Sequence, residues 1–391
     1  MSVTYATGFT AAGLAAGLKA NGGKDVAVVC NTGPEFAAGA VFTPNRFCAA
    51  PVQWSRAAMA RNAQLGTAAR AVVLNSAGAN ACTGAAGFAD TEATAQVVAE
   101  ALHLPLEQVL VCSTGLIGER LKLDLLLPGA KQACAELSAT AGQDAAEAIM
   151  TTDTHPKLAV AQGPGYRVGG MAKGAGMLAP WLATMLVVIT TDARLTSEQA
   201  QAALSEACRT TFNRIDSDGC QSTNDTVILL ASGASGVAPQ MPEFTQTLRS
   251  VAADLARQLI GDAEGASHDI RIDVVNAADE DGAVAVARSI ARYNLLKAAI
   301  FGNDPNWGRV LAAFGALPAE TVPYDPAKVD VAINGVTVCR GGGVGEDRTR
   351  VDLSAREVSI QVDLNAGDQR ATLWTNDLTH DYVHENSAYS S

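Results

Sequence analysis

The sequence predicts a layered α/β protein with a smaller α+β unit at its carboxyl end. Three observations indicate this: short continuous apolar runs, helical patterns between them, and a change to alternating strands after about residue 265. With 391 residues, 48% of them hydrophobic, the chain is long enough to bury a large core. Aromatic residues make up 5% of the chain and glycines number 36, so we expect an interior of small aliphatic side chains with many tight turns.

Continuous apolar runs of strand length predict strands that are covered on both faces. These runs are residues 26–30, 71–74, 109–112, 185–189 and 227–231. A capping box at Thr196-Ser197-Glu198-Gln199 predicts the start of one helix, because the Thr and Gln side chains can satisfy each other's backbone N–H groups. A second helix is predicted from Pro242, a favoured first helical residue, to Gly261, a favoured last one.

The carboxyl-terminal third has a different pattern, with a helix predicted at about residues 281–296. Residues 329–333 and 336–338 flank Asn334-Gly335 and predict a hairpin, because Asn-Gly supplies the positive φ angles of a tight turn. Residues 358–364 and 369–375 are predicted to form a second pair of strands. We therefore place a main α/β domain at residues 1–264 and a smaller α+β domain at residues 265–391.

Composition argues against several classes of function. The net charge of −12 and the lack of a basic run make nucleic acid a poor partner. No charged leader precedes an apolar segment, and no apolar stretch approaches the ~20 residues of a membrane helix, so we expect a cytoplasmic protein without a membrane partner. The eight cysteines form no C-x-x-C and the five histidines no H-E-x-x-H, so neither a metal nor a cofactor is predicted.

The most unusual segment is residues 169–192, in which glycines and Lys173 precede Ala183-Thr184 at the start of an apolar run. A Thr hydroxyl is a weak nucleophile unless a base lies within hydrogen-bond reach. A break before Thr184 would free an α-amino group, which is neutral in roughly one molecule in seven at pH 7 and can serve as that base. On spacing alone, a buried Thr that opens a strand after a glycine-rich turn is the simpler interpretation.

This segment resembles the self-processing site of the bifunctional ornithine acetyltransferases (glutamate N-acetyltransferases) of arginine biosynthesis, the ArgJ family. Other motifs of that family follow in order over essentially the whole chain. They include Asn75-Ser76, Ala79-Asn80-Ala81-Cys82-Thr83-Gly84, Cys112-Ser113-Thr114-Gly115, Thr151-Thr152-Asp153, Ser222-Thr223-Asn224-Asp225, Asp262-Ala263-Glu264-Gly265, Asp304-Pro305-Asn306-Trp307-Gly308-Arg309 and Glu385-Asn386-Ser387-Ala388-Tyr389-Ser390-Ser391.

The resemblance implies a self-processing α/β sandwich of the N-terminal-nucleophile type. It implies a cut between Ala183 and Thr184 that gives an α chain of residues 1–183 and a β chain of residues 184–391. Thr184 would then take the acetyl group of N2-acetyl-L-ornithine and pass it to L-glutamate in a ping-pong reaction. The Thr114 hydroxyl and the Gly115 N–H would form the oxyanion hole. The implied substrate contacts are Thr151, Lys173, Thr184, Glu264, Asn386 and Ser391, the last two in a tail that returns to the active site.

The resemblance further implies a heterotetramer of two α and two β chains, and it leaves acetyl-CoA open as a second acetyl donor. Without it, Lys173 is a solvated loop charge, Glu264 is a surface residue after a helix, and Asn386 and Ser391 belong to a frayed tail. Two alternatives stay open at this point. One is a self-cleaving amidase or aminopeptidase in which water accepts the acyl group, and the other is an uncut amino-acid-binding protein.

Overall fold

The computed structural model describes residues 2–178 and 185–388. The strands in these ranges are β1 (Phe9–Leu14), β2 (Val26–Asn31), β3 (Ala37–Phe42), β4 (Ala71–Asn75), β5 (Val109–Ser113), β6 (Lys157–Gly163), β7 (Tyr166–Lys173), β8 (Leu186–Thr191), β9 (Thr226–Ala231), β10 (Asp269–Ala277), β11 (Asp330–Ile333), β12 (Val336–Arg340), β13 (Gly343–Val344), β14 (Glu357–Asp363) and β15 (Gln369–Asn376). The helices are α1 (Ala50–Leu65), α2 (Gly84–Leu102), α3 (Leu123–Ala135), α4 (Gly142–Ala148), α5 (Ser197–Thr210), α6 (Met241–Gly261), α7 (Glu280–Ala291), α8 (Asn294–Phe301), α9 (Trp307–Gly315) and α10 (His380–Ala388). Among these described helices, none is both long enough and apolar enough to cross a membrane.

Two sheets stacked face to face form the main part of the fold. One has the strand order β1-β2-β4-β5 and the other β3-β9-β8-β7-β6. A shared hydrophobic core lies between them. A second core separates the five-stranded sheet from α5 and α6, and a third separates the four-stranded sheet from α2 and α3. The result is a helix-sheet-sheet-helix sandwich, which confirms the predicted layered α/β class.

Strand β8 shows why its sequence is a continuous apolar run. Leu186 and Val188 lie in the core between the two sheets, while Val187 and Ile189 lie in the core beneath α5 and α6. Successive side chains of a strand point to opposite faces, so both faces of a central strand must be apolar when both are covered. The strand enters the sheet at Leu186, two positions after Thr184 in the chain.

Strands β10–β15 form a third sheet, in the order β13-β12-β11-β14-β10-β15, which packs against α7, α8 and α9 around its own core. This arrangement confirms a smaller carboxyl-terminal α+β unit. The hairpin at Asn334-Gly335 is confirmed as β11 and β12. The boundary after residue 264 stays a prediction.

The predicted pairing of β14 with β15 is wrong, because β10 lies between them. Strand β10 pairs in parallel with β14 and antiparallel with β15. The connection between β14 and β15 wraps over the end of β10, where the N–H groups of Leu364, Ala366 and Gly367 donate to the carbonyls of Val275 and Asn276. A step over one strand spans about 10 Å, which a five-residue connection easily covers.

The helices largely follow their predicted starts. The capping box of α5 is present, since the Gln199 N–H donates to the Thr196 hydroxyl and the Thr196 N–H donates to the Gln199 side chain. Helix α6 starts at Met241, one residue before the predicted Pro242. The single helix predicted at 281–296 is instead α7 and α8, because Tyr293 adopts an extended backbone with φ −82° and ψ 98° and caps α8.

Phe244 on α6 tests the core beneath the five-stranded sheet. Its ring is fully buried and lies 5.7 Å from the ring of Tyr166 on β7. We expect Phe244→Ala to lower the free energy of unfolding by about 3 to 5 kcal/mol, because the substitution leaves a cavity in a packed core. Urea unfolding followed by circular dichroism measures the change. Phe47→Ala is the control, since Phe47 is 73% exposed, and a loss in the control as large as that in Phe244→Ala would contradict the assignment.

Candidate active site

A cavity of about 570 Å³ lies at the end of the sandwich where β5 and β7 terminate. Six residues that the motifs singled out line this cavity together: Thr114, Gly115, Thr151, Lys173, Glu264 and Asn386. They come from segments up to 272 positions apart in the chain, so the fold brings them together. Three further predicted residues, Ala183, Thr184 and Ser391, lie outside the described residues. The neighbour of Thr184 in the chain, Met185, is described and directly precedes β8.

Lys173 is the last residue of β7 and is only 1% exposed. Its ammonium group donates to the Thr151 hydroxyl at 2.8 Å and to the Thr114 hydroxyl at 3.2 Å. The interpretation of Lys173 as a solvated loop charge is therefore wrong. Residues 169–173 belong to a strand paired on both sides, with β6 and with β8. Glycine at position 169 is required there, because a Cβ atom would meet the Ser2 carbonyl oxygen at 2.2 Å.

A buried ion cluster stands behind Lys173. The Lys157 ammonium donates to Asp153 and to Asp262, both at 2.6 Å, and the Gly174 N–H donates to Asp153, also at 2.6 Å. Burial raises the pKa of Asp153, but the charges of Lys173 and Lys157 and the Gly174 hydrogen bond outweigh it and lower the pKa to about 2. Asp153 is therefore an anion at neutral pH and balances the two buried cations.

Burial has the opposite consequence for Lys173. Loss of water lowers the pKa of its ammonium group, and the nearby Asp153 carboxylate counteracts only part of that effect. A substrate carboxylate in the cavity would supply a further anion. The arrangement thus favours binding of a carboxylate beside the Thr114 and Thr151 hydroxyls.

Thr114 and Gly115 form a tightly held turn at the end of β5. Gly115 has φ 135°, and a Cβ atom at this position would meet the Gly78 nitrogen at 2.4 Å, so the close approach requires glycine. The Gly78 N–H donates to the Thr114 carbonyl at 2.9 Å. Because an ammonium group only donates, the Thr114 hydroxyl oxygen accepts from Lys173 and keeps its own proton for another acceptor. This geometry fits the predicted oxyanion donor, although the role itself stays a prediction.

Glu264 and Asn386 also line the cavity. Glu264 is half-buried rather than exposed, and its N–H donates to the Ala175 carbonyl at 3.0 Å. Its carboxylate packs so closely on Gly176 that a Cβ atom there would lie 2.7 Å from both oxygens. Asn386 belongs to α10, so the interpretation of this position as a frayed tail is wrong.

The structure adds cavity residues to which sequence reasoning gave no role. Lys19 and Asn21 line it from a loop that the buried Asp25 carboxylate organises by accepting four backbone N–H groups, from residues 16 to 19. Residues 222–224 line it before β9, where the Asn224 amide donates to the carbonyls of Ala79 and Ser113. The sequence signal for each of these two segments was one or more polar residues directly before an apolar strand.

Comparison with known proteins identifies the family of this chain. The fold and the site define a layered α/β protein with a cavity at the ends of β5 and β7. The ArgJ family model matches residues 10–391. The arginine biosynthesis bifunctional protein of Streptomyces avermitilis is 61% identical over 391 residues, and that of Bifidobacterium longum is 58% identical over 396 residues, each over 100% of both chains.

A solved structure of ornithine acetyltransferase complexed with ornithine, from Mycobacterium tuberculosis, is 50% identical with a TM-score of 0.44. The match covers 47% of this chain and 96% of that chain. On the full-length sequence matches, the protein belongs to the ArgJ family. Membership confirms the resemblance predicted from the motifs, and with it the prediction of an acetyltransferase of arginine biosynthesis rather than an amidase.

Asp153→Asn tests the ion cluster behind Lys173. We expect the free energy of unfolding at pH 7 to fall by about 3 to 5 kcal/mol, because two buried cations lose their shared anion. The folded pKa of Asp153 is lowered to about 2, so its contribution is present above the unfolded value of about 4 and is lost as the pH falls towards about 2. The difference between parent and variant should shrink over that range in urea unfolding experiments.

Asp144→Asn is the matched control, since Asp144 pairs with Lys24 while its side chain is 48% exposed. We expect a change below about 1 kcal/mol for this surface pair. Equal losses in the two variants at pH 7 would contradict the special role of the buried cluster.

Gly115→Ala tests the turn at the end of β5. A methyl group would collide with the backbone at Gly78 and displace the Gly115 N–H, so we expect turnover to fall about 100-fold or more. Steady-state kinetics of acetyl transfer measures this effect. Gly118→Ala is the control, because Gly118 also has a positive φ of 89° but nothing within 4 Å of its Cβ position. Parental turnover in Gly115→Ala would contradict the predicted role of this N–H.

Proposed function

We propose that this protein transfers the acetyl group of N2-acetyl-L-ornithine to L-glutamate through an acetyl ester on Thr184, after cutting its own chain between Ala183 and Thr184. One observation carries the proposal: a single cavity gathers Thr114, Gly115 and the buried Lys173 at the end of the sandwich where the chain leads into β8. An N-terminal Thr has its own base in its α-amino group, and we assign the oxyanion contacts to the Thr114 hydroxyl and the Gly115 N–H.

In the first half-reaction, the α-amino group of Thr184 removes the hydroxyl proton and the oxygen attacks the acetyl carbonyl carbon. The Thr114 hydroxyl and the Gly115 N–H stabilise the oxyanion that forms. The bond from the acetyl carbon to the ornithine nitrogen then breaks, and that nitrogen takes the proton. In the second half-reaction, the neutral amino group of glutamate attacks the ester and the Thr184 oxygen leaves with a proton.

The charges of the cavity suit both amino acids. We assign Lys173, with Thr151 beside it, to the α-carboxylate that ornithine and glutamate share. Glu264 is assigned to the side-chain ammonium of ornithine, which glutamate lacks. Asn386 and Ser391 are assigned to substrate contacts from the tail, in agreement with the position of Asn386 on the cavity.

The proposal extends to three features that the family resemblance implies. The first is acetyl-CoA as a second acetyl donor, because a thioester can acylate the same hydroxyl. The second is a heterotetramer of two α and two β chains. The third is a cytoplasmic location. Formation of acetylglutamate from acetyl-CoA, the solution mass of the purified protein and cell fractionation test the three in turn.

Thr184→Ala is the direct test of the nucleophile. We expect the variant to remain a single chain of full length and to lose acetyl transfer, because both the cut and the ester need the hydroxyl. Intact-mass measurement and acetylglutamate formation provide the two readouts. Thr184→Ser is the control and should retain both activities in part, since it keeps the hydroxyl.

A Thr184→Ala protein that still appears as two fragments and still transfers acetyl groups would rule out the proposal. Measuring acetylglutamate against free acetate distinguishes the transferase from the amidase, because only the amidase passes the acyl group mainly to water. A parent protein that shows a single full-length mass and no product would indicate an uncut binding protein.

A further inference from the structure

Asp225 is a fully buried carboxyl group next to the start of β8. It directly precedes β9, which pairs in parallel with β8 so that Thr226 lies opposite Leu186. The Thr226 N–H donates to the Met185 carbonyl at 3.2 Å and continues the ladder by one step. Asp225 is therefore level with Met185, the residue that follows Thr184 in the chain.

The two oxygens of Asp225 have different surroundings. Oδ1 accepts the Met185 N–H at 3.1 Å. That nitrogen is bonded to the carbonyl carbon of Thr184. Oδ2 is also buried, and within residues 2–178 and 185–388 it has no hydrogen-bond partner of ordinary geometry. A buried carboxyl oxygen without a partner costs several kcal/mol in general, so such an atom calls for a partner.

The hydrogen bonds and charges around Asp225 do not offset the effect of its burial. Burial raises the pKa of Asp225 well above its ordinary value, although the Met185 N–H, the Ser222 hydroxyl and the Lys173 charge act in the opposite direction. Lys173 is shared among three carboxyl groups, since Asp153, Asp225 and Glu264 all act to raise the pKa of its ammonium group against the larger effect of burial. At the end of β5, burial raises the pKa of Cys112 to about 12, so that thiol stays neutral.

We propose that Asp225 is a positioning residue for the nucleophile: Oδ1 fixes the Met185 N–H, and Oδ2 receives the α-amino group of Thr184 once the chain is cut. The inference rests on the proposed cleavage before Thr184. Covalent geometry keeps the Thr184 nitrogen within about 3.7 Å of the Met185 nitrogen, which is itself in contact with Oδ1. The Thr184 nitrogen is therefore at most about 7 Å from Oδ1, and the freed amino group is assigned to this carboxyl.

The cut creates the partner that this carboxyl lacks. Before cleavage the Thr184 nitrogen is an uncharged amide, and burial of a carboxyl group with one oxygen unpartnered favours its protonated form. After cleavage the nitrogen is an amine, and the proton can move from the oxygen to the nitrogen, leaving a carboxylate beside an ammonium group. The reverse transfer restores the neutral amine that must accept the hydroxyl proton, and no other reactant is consumed.

The decisive experiment measures the apparent pKa of the Thr184 α-amino group without relying on acetyl transfer. Cleaved parent and Asp225→Asn proteins are treated briefly with formaldehyde and cyanoborohydride over about pH 5 to 10. Methylation of the Thr-Met-Leu amino terminus is then quantified by mass spectrometry. A nearby carboxylate stabilises the ammonium form, so its removal should lower the pKa of the amine by about 1 to 3 pH units.

Asp192→Asn is the matched control. Asp192 is a buried aspartate just beyond the far end of β8, where it accepts the backbone N–H groups of Thr7 and Arg167. This substitution removes a buried carboxylate at the other end of the same strand, but the pKa of the Thr184 amine should stay at the parental value. Should Asp225→Asn fail to fold, Asp225→Ser keeps a hydroxyl oxygen for the Met185 N–H and is assayed in the same way.

An unchanged amine pKa in Asp225→Asn would overturn the inference and leave Asp225 with a purely structural role. A folded Asp225→Asn protein that remains uncut would also overturn it, because the carboxyl would then act in the cleavage instead. The proposed function fails separately, when the parent chain is cut before Thr184 yet makes no acetylglutamate. In that case the methylation data still decide the role of Asp225.

Discussion

The candidate site depends on one buried cation. The ammonium group of Lys173 has almost no water around it, so hydroxyl oxygens and negative charge from the protein must replace that water. Thr114 and Thr151 supply the hydroxyls from two separate segments, and Asp153 supplies the charge from behind. The hydrogen bond from Lys173 to Thr114 also fixes the end of β5 relative to the end of β7. Loss of this balance would disturb the cavity before it affected the outer helices.

The sequence predicted the layers of the fold better than the connections between them. Continuous apolar runs identified the central strands, because burial on both faces requires consecutive apolar residues within one short segment. The insertion of β10 between β14 and β15 has no local sequence pattern, since β10 lies about 90 residues upstream of the two strands with which it pairs. The break between α7 and α8 was also missed, because no proline or glycine stands at Tyr293.

Prediction of the site depended on motifs rather than on local propensity. Glycines around Lys173 are typical of loops, yet here they allow a strand to pack closely against Ser2 and Tyr5. Burial of Lys173 could not be inferred from composition, because its partners lie 22 and 59 positions away. Asp25 and Asp225 show the same limit. Each is a lone acid before an apolar strand, and only the folded chain reveals which backbone groups it holds.

The strand order of the five-stranded sheet has a consequence for the fate of a cut chain. Strands β3, β6 and β7 precede position 184, while β8 and β9 follow it, and β9 lies between β3 and β8. Two fragments made by a cut at this position would interleave within one sheet, joined by ladders on two sides. Neither fragment could leave without breaking the core of the sandwich, and neither contains the whole five-stranded sheet. The backbone break would thus change the connectivity of the chain while preserving its architecture, and folding would have to precede it.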